Sequence, residues 1–284
     1  MGAVTAPPSP PSRISDAEFQ SIRRLVYDNF GINLTEQKRS LVVGRLQKVL
    51  RDRGFAEFKS YLEWLTSDQS GVGLEELANR ISTNHTFFWR ENSHFEFFRD
   101  TILAEAAARH RKDGGNVRFW CAGCSSGEEP YTLVMLMLEV YGREYDTLKP
   151  LLLATDISAT ALSSAMRGVY GADRVERMPA NLRSKYFERG PEAGTYRVVE
   201  RVRSQVVFRR HNLMNPTFPF KKPFDSVFCR NVMIYFDKQT RDGLVSRFHR
   251  HTATDGYLLI GHSETLGQDN ASYAYVMPAC YRRR

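Results

Sequence analysis

The stretch from Val117 to Leu138 constrains the fold more than any other part of this chain. It opens with a short apolar run and continues through a loop of glycine and other small residues. Glu128, Glu129 and Pro130 follow, and a long apolar helix is predicted from Tyr131 onward. Pro130 falls in the first turn of the predicted helix, where proline is tolerated, and the acidic pair before it complements the helix dipole. A strand, a glycine-containing loop and a helix are the unit with which α/β folds bind nucleotide-like ligands. An ordinary turn between a strand and a helix is the alternative interpretation.

Short apolar runs recur along the rest of the chain and alternate with helical patterns. The predicted strands are residues 117–121, 151–155, 206–210, 224–229 and 257–261, with an edge strand at 274–282. Continuous apolar runs separated by helices indicate a mostly parallel sheet that is covered on both faces. Residues 185–209 break the alternation. They contain two β-like runs, TYRVV and SQVVF, which predict a small antiparallel insertion.

The first part of the chain predicts a different architecture. Residues 1–13 are rich in proline and small residues, which indicates a disordered tail. Residues 14–83 carry helical periodicity that begins with a capping box at Ser15 and Glu18. We therefore expect a small all-helical domain, an aromatic-rich linker at 84–92 and an α/β domain at 93–284. Aromatic side chains in such a linker more often wedge two domains together than bind a ligand.

Charge limits the classes of partner. The chain of 284 residues has a net charge of +8, which favours nucleic acid, an anionic membrane or an acidic protein surface. The second predicted helix carries a basic stripe formed by Lys38, Arg45, Lys48 and Arg51. A solvated face is the commonest reason for such a stripe, and an acidic partner is the alternative. Because neither a transmembrane run nor a signal peptide is present, we expect a cytoplasmic protein without direct membrane insertion.

The cysteines and histidines do not predict a metal site. Four cysteines are too few for a disulfide scaffold in a chain of this size. Cys121 and Cys124 form a C-x-x-C pair, but a zinc site needs two further ligands at matching spacing, and none follows. A redox pair is the remaining alternative to simple packing. The seven histidines include no i, i+4 pair on one helix, and no catalytic triad is convincing.

Ligands of open parallel sheets bind beyond the carboxyl ends of the strands. The residues that follow the first four predicted strands are Glu129, Asp156, Asn212 with Leu213, and Arg230 with Asn231. Asp156 can hold a ribose diol, although a lone aspartate there is more often a helix cap. The loop lacks the third glycine of the dinucleotide fingerprint, and acids at the helix start repel a pyrophosphate. They suit the ammonium and sulfonium groups of S-adenosylmethionine.

Five motifs resemble those of the bacterial chemotaxis receptor methyltransferases, the CheR family, in order and spacing. They are T-N-x-T-x-F-x-R at 83–90, S-x-G-E-E-P-Y at 125–131, D-I at 156–157, N-L at 212–213 and C-R-N-V-M-I-Y-F at 229–236. The resemblance covers the chain from about Ser15 to its end. It implies a small helical domain followed by a Rossmann-like class I S-adenosylmethionine methyltransferase sheet with an antiparallel insertion. It also implies that glutamate side chains of chemoreceptors become γ-glutamyl methyl esters, with S-adenosylhomocysteine as the second product.

The resemblance assigns roles to individual residues. It implies cofactor contacts at Asn84, Thr86, Arg90, Glu129, Asp156, Asn212, Leu213, Arg230 and Asn231. Tyr235 would lie beside the transferred methyl group, and we expect Tyr235 and Arg90 to orient the incoming carboxylate. The basic stripe of the second helix would meet the glutamate-rich methylation helices of the receptor. A glutamate side chain, with a reference pKa of about 4.3, is ionised at neutral pH and needs no general base.

Two other functions stay open. A nucleic-acid methyltransferase would use the basic charge, although Asn215-Pro216 lacks the aromatic pair found in base methyltransferases. A non-catalytic S-adenosylmethionine-binding signalling module would keep the fold, but the intact site residues speak against lost activity. The turn at 190–195 looks shorter than in relatives that dock on a receptor tail. We therefore expect the protein to act independently of the receptor tail. We also expect a monomer that is recruited to membrane receptor arrays.

Overall fold

The computed structural model describes residues 13–82, 85–267 and 270–284. The chain divides into two compact units, residues 1–83 and 84–284. Nearly all of the predicted tail at 1–13 lies outside the described residues, and so does Asn84. No helix in the described ranges is long and apolar enough to cross a bilayer.

The described part of the first unit is helical. Its helices are α1 (Asp16–Phe30), α2 (Arg39–Arg53), which follows a 3-10 turn at Glu36–Lys38, α3 (Phe58–Ser67) and α4 (Val72–Ile81). The predicted capping box is present, since the Glu18 amide donates to Ser15 Oγ and the Ser15 amide donates to the Glu18 carboxylate. The core is apolar, and Phe19, Leu46 and Tyr61 are fully buried in it.

The second unit alternates helices and strands. Its helices are α5 (Asn92–Phe97), α6 (Leu103–Asp113), α7 (Glu128–Tyr141), α8 (Tyr145–Leu148), α9 (Ala159–Arg167), α10 (Ala172–Val175), α11 (Ala180–Tyr186), α12 (Glu200–Arg203) and α13 (Lys238–His251). Its strands are β1 (Arg118–Ala122), β2 (Leu151–Asp156), β3 (Val169–Gly171), β4 (Phe187–Arg189), β5 (Thr195–Val198), β6 (Val206–Arg210), β7 (Phe224–Cys229), β8 (Thr252–Ile260), β9 (Tyr273–Met277) and β10 (Cys280–Arg283). A π-helical segment at Phe98–Ile102 joins α5 to α6, and short 3-10 turns lie at Gly142–Glu144 and Met233–Tyr235.

The main sheet has the strand order β6-β2-β1-β7-β8-β10-β9 within the described residues. Parallel pairing joins β6, β2, β1, β7 and β8 in that order, whereas β10 is antiparallel to both β8 and β9. The prediction of a mostly parallel sheet is therefore confirmed. Because β1 lies between β2 and β7, the chain reverses its direction of winding there, and the ends of β1 and β7 flank the switch point at which such sheets bind ligands.

Apolar side chains cover both faces of this sheet, as the continuous apolar strands predict. Along β1, Phe119 and Cys121 belong to one buried cluster, and Trp120 and Ala122 belong to the other. This alternation follows from the two-residue period of a strand, which turns successive side chains to opposite faces. All four cysteines are free and buried, so the C-x-x-C pair contributes to packing in this structure.

The composition of the antiparallel insertion differs from the prediction. The run TYRVV forms its central strand β5, but the assignment of SQVVF to the insertion is wrong, because β6 pairs in parallel with β2 at the edge of the main sheet. The third strand of the insertion is β3, which pairs with β5 from residues upstream of the predicted 185–209 segment. SQVVF overlaps the strand that the sequence also predicts at 206–210, and the place of that strand in the main sheet is confirmed.

The predicted edge strand at 274–282 is also wrong in detail, since the segment forms two strands. β9 and β10 form an antiparallel hairpin whose turn contains Pro278 and Ala279. Ala279 has a positive φ of 57°, which suits a turn, and Pro278 cannot donate to a strand ladder, so the ladder is interrupted there. The inner strand of the pair is β10, which leaves β9 as the edge.

Candidate active site at the switch point of the sheet

The glycine-containing loop between β1 and α7 forms one wall of the site. The backbone amides of Gly123 and Cys124 both donate to the carbonyl of Thr155, at 2.8 and 2.9 Å, which fastens the loop to the end of β2. Gly123 has φ +88°, and a Cβ there would lie 2.5 Å from Cγ2 of Val232. Only glycine therefore allows the loop to approach the turn that follows β7. Ser125 Oγ is buried in the same loop and has no hydrogen-bond partner within the described structure.

Asp156 lies at the end of β2 with its side chain turned toward this loop. Its carboxylate accepts hydrogen bonds from the backbone amide of Ser125 at 2.8 Å and from that of Ser158 at 2.9 Å. Burial raises the pKa of Asp156, and these backbone donors act in the opposite direction. The helix cap of α9 is Ser158 rather than Asp156. Because a carboxylate can accept about four hydrogen bonds, Asp156 keeps the capacity to accept from ligand hydroxyls.

A buried ion-pair network connects the start of α7 to the end of β7. The Arg230 guanidinium donates to Glu129 at 2.8 Å and to Glu91 at 3.1 Å, and its side chain is only 2% exposed. Glu129 also accepts from the thiol of Cys121 at 2.9 Å. For Glu91, burial raises the pKa, but Arg230 and the side chain of Asn231 together hold it below its ordinary value. The switch point therefore contains two carboxylates that share one guanidinium.

The described part of the aromatic-rich linker, residues 85–92 and called the connector below, joins the same network through its backbone. The carbonyl of Arg90 accepts a hydrogen bond from Arg230, and the carbonyl of Thr86 accepts one from Arg174 at 2.9 Å. The side chain of Arg90 donates to the carbonyl of His85 at 2.8 Å, so it folds back on the connector itself. Phe88 is fully buried and makes edge-to-face contacts with rings of the second unit. The connector is thus ordered against the α/β unit that contains the site.

The remaining predicted residues follow β6 and β7. Asn231 has a positive φ of 58°, and its side-chain amide donates to Glu91 at 3.0 Å. Tyr235 ends the 3-10 turn that follows, and it is half-buried. Asn212 accepts a hydrogen bond from the Met214 amide at 2.9 Å. Leu213 is 9% exposed and packs in the apolar cluster on one face of the sheet.

Three residues beside Arg230 carry atoms that are metal ligands in other proteins. Glu91, His94 and His262 offer one such atom each within 4.8 Å of one another, and His94 is fully buried. Burial and then the charge of Arg230 lower the pKa of His94 to about 4. The guanidinium of Arg230 already binds the Glu91 oxygen that faces His94, so a divalent cation would meet a fixed positive charge. The arrangement favours the ion pair, and we assign no metal to it.

Sequence reasoning missed Glu91, and it identified Glu128 as part of the acidic pair at the helix start without predicting its burial. Glu91 directly follows the motif T-N-x-T-x-F-x-R at 83–90, and it binds both Arg230 and Asn231. Glu128 is fully buried at the start of α7 and pairs with Arg174 at 2.9 Å. The sequence carries only a weak signal for either one, because an acid in a connector or in the first turn of a helix is usually solvated. The partners that bury them come from distant parts of the chain.

The basic stripe of α2 divides into two kinds of residue within the first unit. Arg45 donates to the carbonyls at the end of α4, with its shortest hydrogen bond, 2.9 Å, to Ile81. It therefore satisfies a helix terminus, which is a structural role that the sequence pattern did not predict. Lys38 lies in the 3-10 turn before α2 rather than on the helix and is half-buried, whereas Lys48 and Arg51 are on α2 and exposed. No carboxylate of the described residues forms an ion pair with Lys48 or Arg51. These two residues are called the basic surface of α2 below.

Comparison with known proteins identifies relatives over nearly the whole chain. The family described as "CheR methyltransferase, all-alpha domain" matches residues 17–82, and "CheR methyltransferase, SAM binding domain" matches residues 84–280. A chemotaxis protein methyltransferase of Borreliella burgdorferi is 42% identical over 271 residues, 95% of this chain and 95% of that protein. Proteins of the same name from Salmonella typhimurium and Escherichia coli are 37% and 36% identical, each covering 88% of this chain and 84% and 85% of the relative.

Fold, site and matches agree on the class of protein. A central parallel sheet whose switch point is lined by carboxylates, matched over its length by an S-adenosylmethionine-binding domain, defines a Rossmann-like S-adenosylmethionine-dependent methyltransferase. The chain belongs to the CheR methyltransferase family. Its cofactor is S-adenosylmethionine, as the sequence predicted. The donor set fits this cofactor, because carboxylates and an unpaired buried serine hydroxyl suit ammonium and hydroxyl groups better than a pyrophosphate.

Proposed function

We propose that this protein methylates glutamate side chains of chemoreceptors to γ-glutamyl methyl esters. The observation that carries the proposal is the convergence of Glu129, Asp156, Arg230 and Asn231 at the carboxyl ends of three adjacent strands in a CheR-family chain. The names of the relatives from Salmonella typhimurium and Escherichia coli support a chemotaxis substrate. An ionised carboxylate is itself the nucleophile, so the proposed reaction needs neither a triad nor a general base.

The residues at the switch point are proposed to hold the cofactor rather than to exchange protons. S-adenosylmethionine supplies an electrophilic methyl group on its sulfonium and leaves as S-adenosylhomocysteine. Asp156 is the proposed acceptor for ribose hydroxyls, and Glu129 offers negative charge to the cofactor's cationic end. Arg230 orients Glu129, since it binds that carboxylate at 2.8 Å. Catalysis then consists mainly of positioning, which can contribute roughly 7–11 kcal/mol in well-oriented systems.

Tyr235 and Arg90 are proposed to orient the incoming glutamate. Tyr235→Phe removes one hydroxyl from a half-buried ring, so we expect a turnover loss of about tenfold to hundredfold. Single-turnover kinetics would measure that loss, and calorimetry with S-adenosylhomocysteine would show unchanged cofactor affinity. Phe236 is the next residue and has no hydroxyl, so Phe236→Leu serves as a packing control. Unchanged turnover in Tyr235→Phe would remove Tyr235 from the mechanism.

The basic surface of α2 is proposed to contact the acidic methylation helices of the receptor. Lys48→Ala with Arg51→Ala should raise the Michaelis constant for receptor and reduce its dependence on salt, because two exposed cations are lost. Arg24→Ala with Lys59→Ala is the matched control, since these residues are also exposed cations of the first unit. Equal Michaelis constants for the two double variants would show that the basic surface of α2 is only a solvated face.

The experiment that tests the proposal as a whole is transfer of a tritiated methyl group. Base-labile label on receptor-containing membranes supports the glutamate ester, whereas label on RNA would favour the nucleic-acid alternative. Cofactor binding without transfer to any substrate would favour a non-catalytic signalling module. Receptors with and without their C-terminal tails would test our proposal that the enzyme acts independently of the tail.

The domain organisation and cellular context complete the proposal. We propose a helical domain at 14–83, a linker at 84–92 that contributes to the cofactor site, and a methyltransferase domain at 93–284. The boundary near residue 83 and the family matches at 17–82 and 84–280 support this division. The proposed protein is a cytoplasmic monomer recruited to receptor arrays at the membrane. Sedimentation with receptor membranes, and its loss on receptor deletion, would test the recruitment.

A further inference from the structure

Glu264 is a buried acid that belongs to none of the motifs described above. It follows β8 and is 7% exposed. Its Oε1 accepts a hydrogen bond from the Ile234 amide at 3.0 Å, and its Oε2 accepts from the Asn231 amide at 3.0 Å and from the amide of Gly261. No basic side chain of the described residues forms an ion pair with it. The carboxylate is thus held by backbone amides, and three hydrogen bonds join it to two separate segments.

These hydrogen bonds fix the turn between β7 and α13. Asn231, at the start of the turn, has φ +58°, a conformation that costs free energy for a residue other than glycine. A Cβ at Gly261 would lie 2.4 Å from Asn231 Nδ2 and 2.7 Å from its backbone nitrogen, so Asn231 rests directly on that glycine. On its other side, the Asn231 side chain donates to Glu91 at 3.0 Å. Two carboxylates and a glycine therefore hold Asn231 in an otherwise unfavourable conformation.

The same carboxylate orients the end of the turn. The 3-10 turn Met233–Tyr235 begins two residues after Asn231, and Ile234 donates its amide inward to Glu264 although its side chain is 47% exposed. Fixing the amide of Ile234 also fixes the direction in which the next residue, Tyr235, leaves the turn. Burial raises the pKa of Glu264, and the backbone donors from Gly261, Asn231 and Ile234 oppose that effect.

We propose that Glu264 is a positioning residue whose carboxylate sets the turn that presents Asn231 to the cofactor and Tyr235 to the substrate. The inference rests on the roles proposed above for Asn231 and Tyr235. In a reaction that depends on positioning, a displacement of about 1 Å can cost about a hundredfold in rate. Glutamine at position 264 has nearly the same shape, but its NH₂ group would face a backbone N–H, so one or more hydrogen bonds to the turn would be lost.

Glu264→Gln should lower kcat by about tenfold to hundredfold with receptor substrate, while the receptor Michaelis constant changes by less than about threefold. The matched control is Asp225→Asn. Asp225 is also a buried carboxylate that accepts a backbone amide, from Arg118 at 2.8 Å, but it lies near the start of β7, about 13 Å of strand away from the turn. The control should lose stability and keep its turnover within about twofold at a temperature where both variants are folded. Equal turnover losses in the two variants would overturn the proposal.

A double variant separates this inference from the proposed role of Tyr235. If Glu264 acts through the turn, Glu264→Gln should cost at least fivefold less turnover in a Tyr235→Phe background than in the wild-type chain. Equal losses in both backgrounds, together with unchanged affinity for S-adenosylhomocysteine, would refute it. If Tyr235→Phe alone has no effect, the proposed role of Tyr235 fails. Weaker S-adenosylhomocysteine binding by Glu264→Gln would still support positioning of Asn231.

A second variant keeps the proposal testable if Glu264→Gln does not fold. Gly261→Ala leaves the Glu264 carboxylate intact but places a methyl group against the side chain and backbone nitrogen of Asn231. It should reproduce the loss of kcat in the receptor assay and weaken S-adenosylhomocysteine binding, because the turn is displaced in both cases. Wild-type turnover and wild-type cofactor affinity in a folded Gly261→Ala protein would overturn the proposal.

Discussion

Replacing Arg230 with glutamine tests whether the buried ion-pair network governs the stability of the α/β unit. The guanidinium lies between Glu91 and Glu129, at 3.1 and 2.8 Å, and the side chains of the two acids are only 14% and 15% exposed. Arg230→Gln leaves both carboxylates buried without a cation. Removing one partner of a buried ion pair costs about 3–5 kcal/mol in other proteins. For a unit of this size, that corresponds to a fall in melting temperature of roughly 6–20 °C.

The size of this loss should depend on pH. Although burial raises the pKa of Glu91, Arg230 and the Asn231 hydrogen bond together lower it below the ordinary value. A depressed pKa in the folded state stabilises the protein above the unfolded-state pKa, and this stabilisation is lost as pH falls through the folded-state pKa. In Arg230→Gln the lowering by Arg230 is absent, so burial should raise the pKa of Glu91. The variant should then gain stability as pH falls, and its deficit should shrink between pH 7 and about pH 5.

Urea unfolding followed by circular dichroism at pH 7.5 and pH 5.0 measures both effects. Arg247→Gln is the control, because Arg247 is half-buried and donates to the carbonyl of Leu213 but forms no ion pair with a described acid. Its deficit should be smaller and independent of pH over this range. A deficit for Arg230→Gln that is the same at both pH values, or that matches the control, would refute the reasoning.

Three further predictions follow from local geometry. Arg45→Ala should lower the free energy of unfolding by about 1–2 kcal/mol in urea titrations, because the carbonyls at the end of α4 lose their donor. An equal loss in Lys48→Ala would contradict this structural role of Arg45. Burial lowers the pKa of His94 to about 4, so its imidazole should stay neutral in NMR titrations down to pH 5. Because the unfolded-state imidazole titrates near 6.5, the protein should lose stability as pH falls from about 6.5 toward 4. An NMR titration midpoint near 6.5 for His94 in the folded protein would contradict the fold. Gly123→Ala should weaken S-adenosylhomocysteine binding at least tenfold in calorimetry, because the added Cβ would lie 2.5 Å from Val232. Wild-type affinity would contradict the close approach of the glycine loop to Val232.

Local side-chain patterns were sufficient to predict the helices and strands whose apolar periodicity is long or continuous. The capping box at Ser15, the buried strand β1 and the helix that begins at Glu128 depend on neighbours within four residues, so their side-chain pattern predicts them directly. The sequence predicts the strand at 206–210, but it also assigns the overlapping run SQVVF to the insertion, because the partner β2 lies about fifty residues upstream and no local pattern identifies it.

The sequence by itself determined the class of fold, the family and the set of residues at the strand ends, because these depend on periodicity and on motifs that are contiguous in the chain. Only the tertiary structure decided how those residues interact. Arg230 joins Glu129 to Glu91, Arg45 satisfies a helix end rather than solvent, and Glu264 holds the turn of Asn231. Each of these contacts joins residues more than 30 positions apart. The free energy of a charged side chain depends on the partner that buries it, and the one-dimensional pattern does not specify that partner.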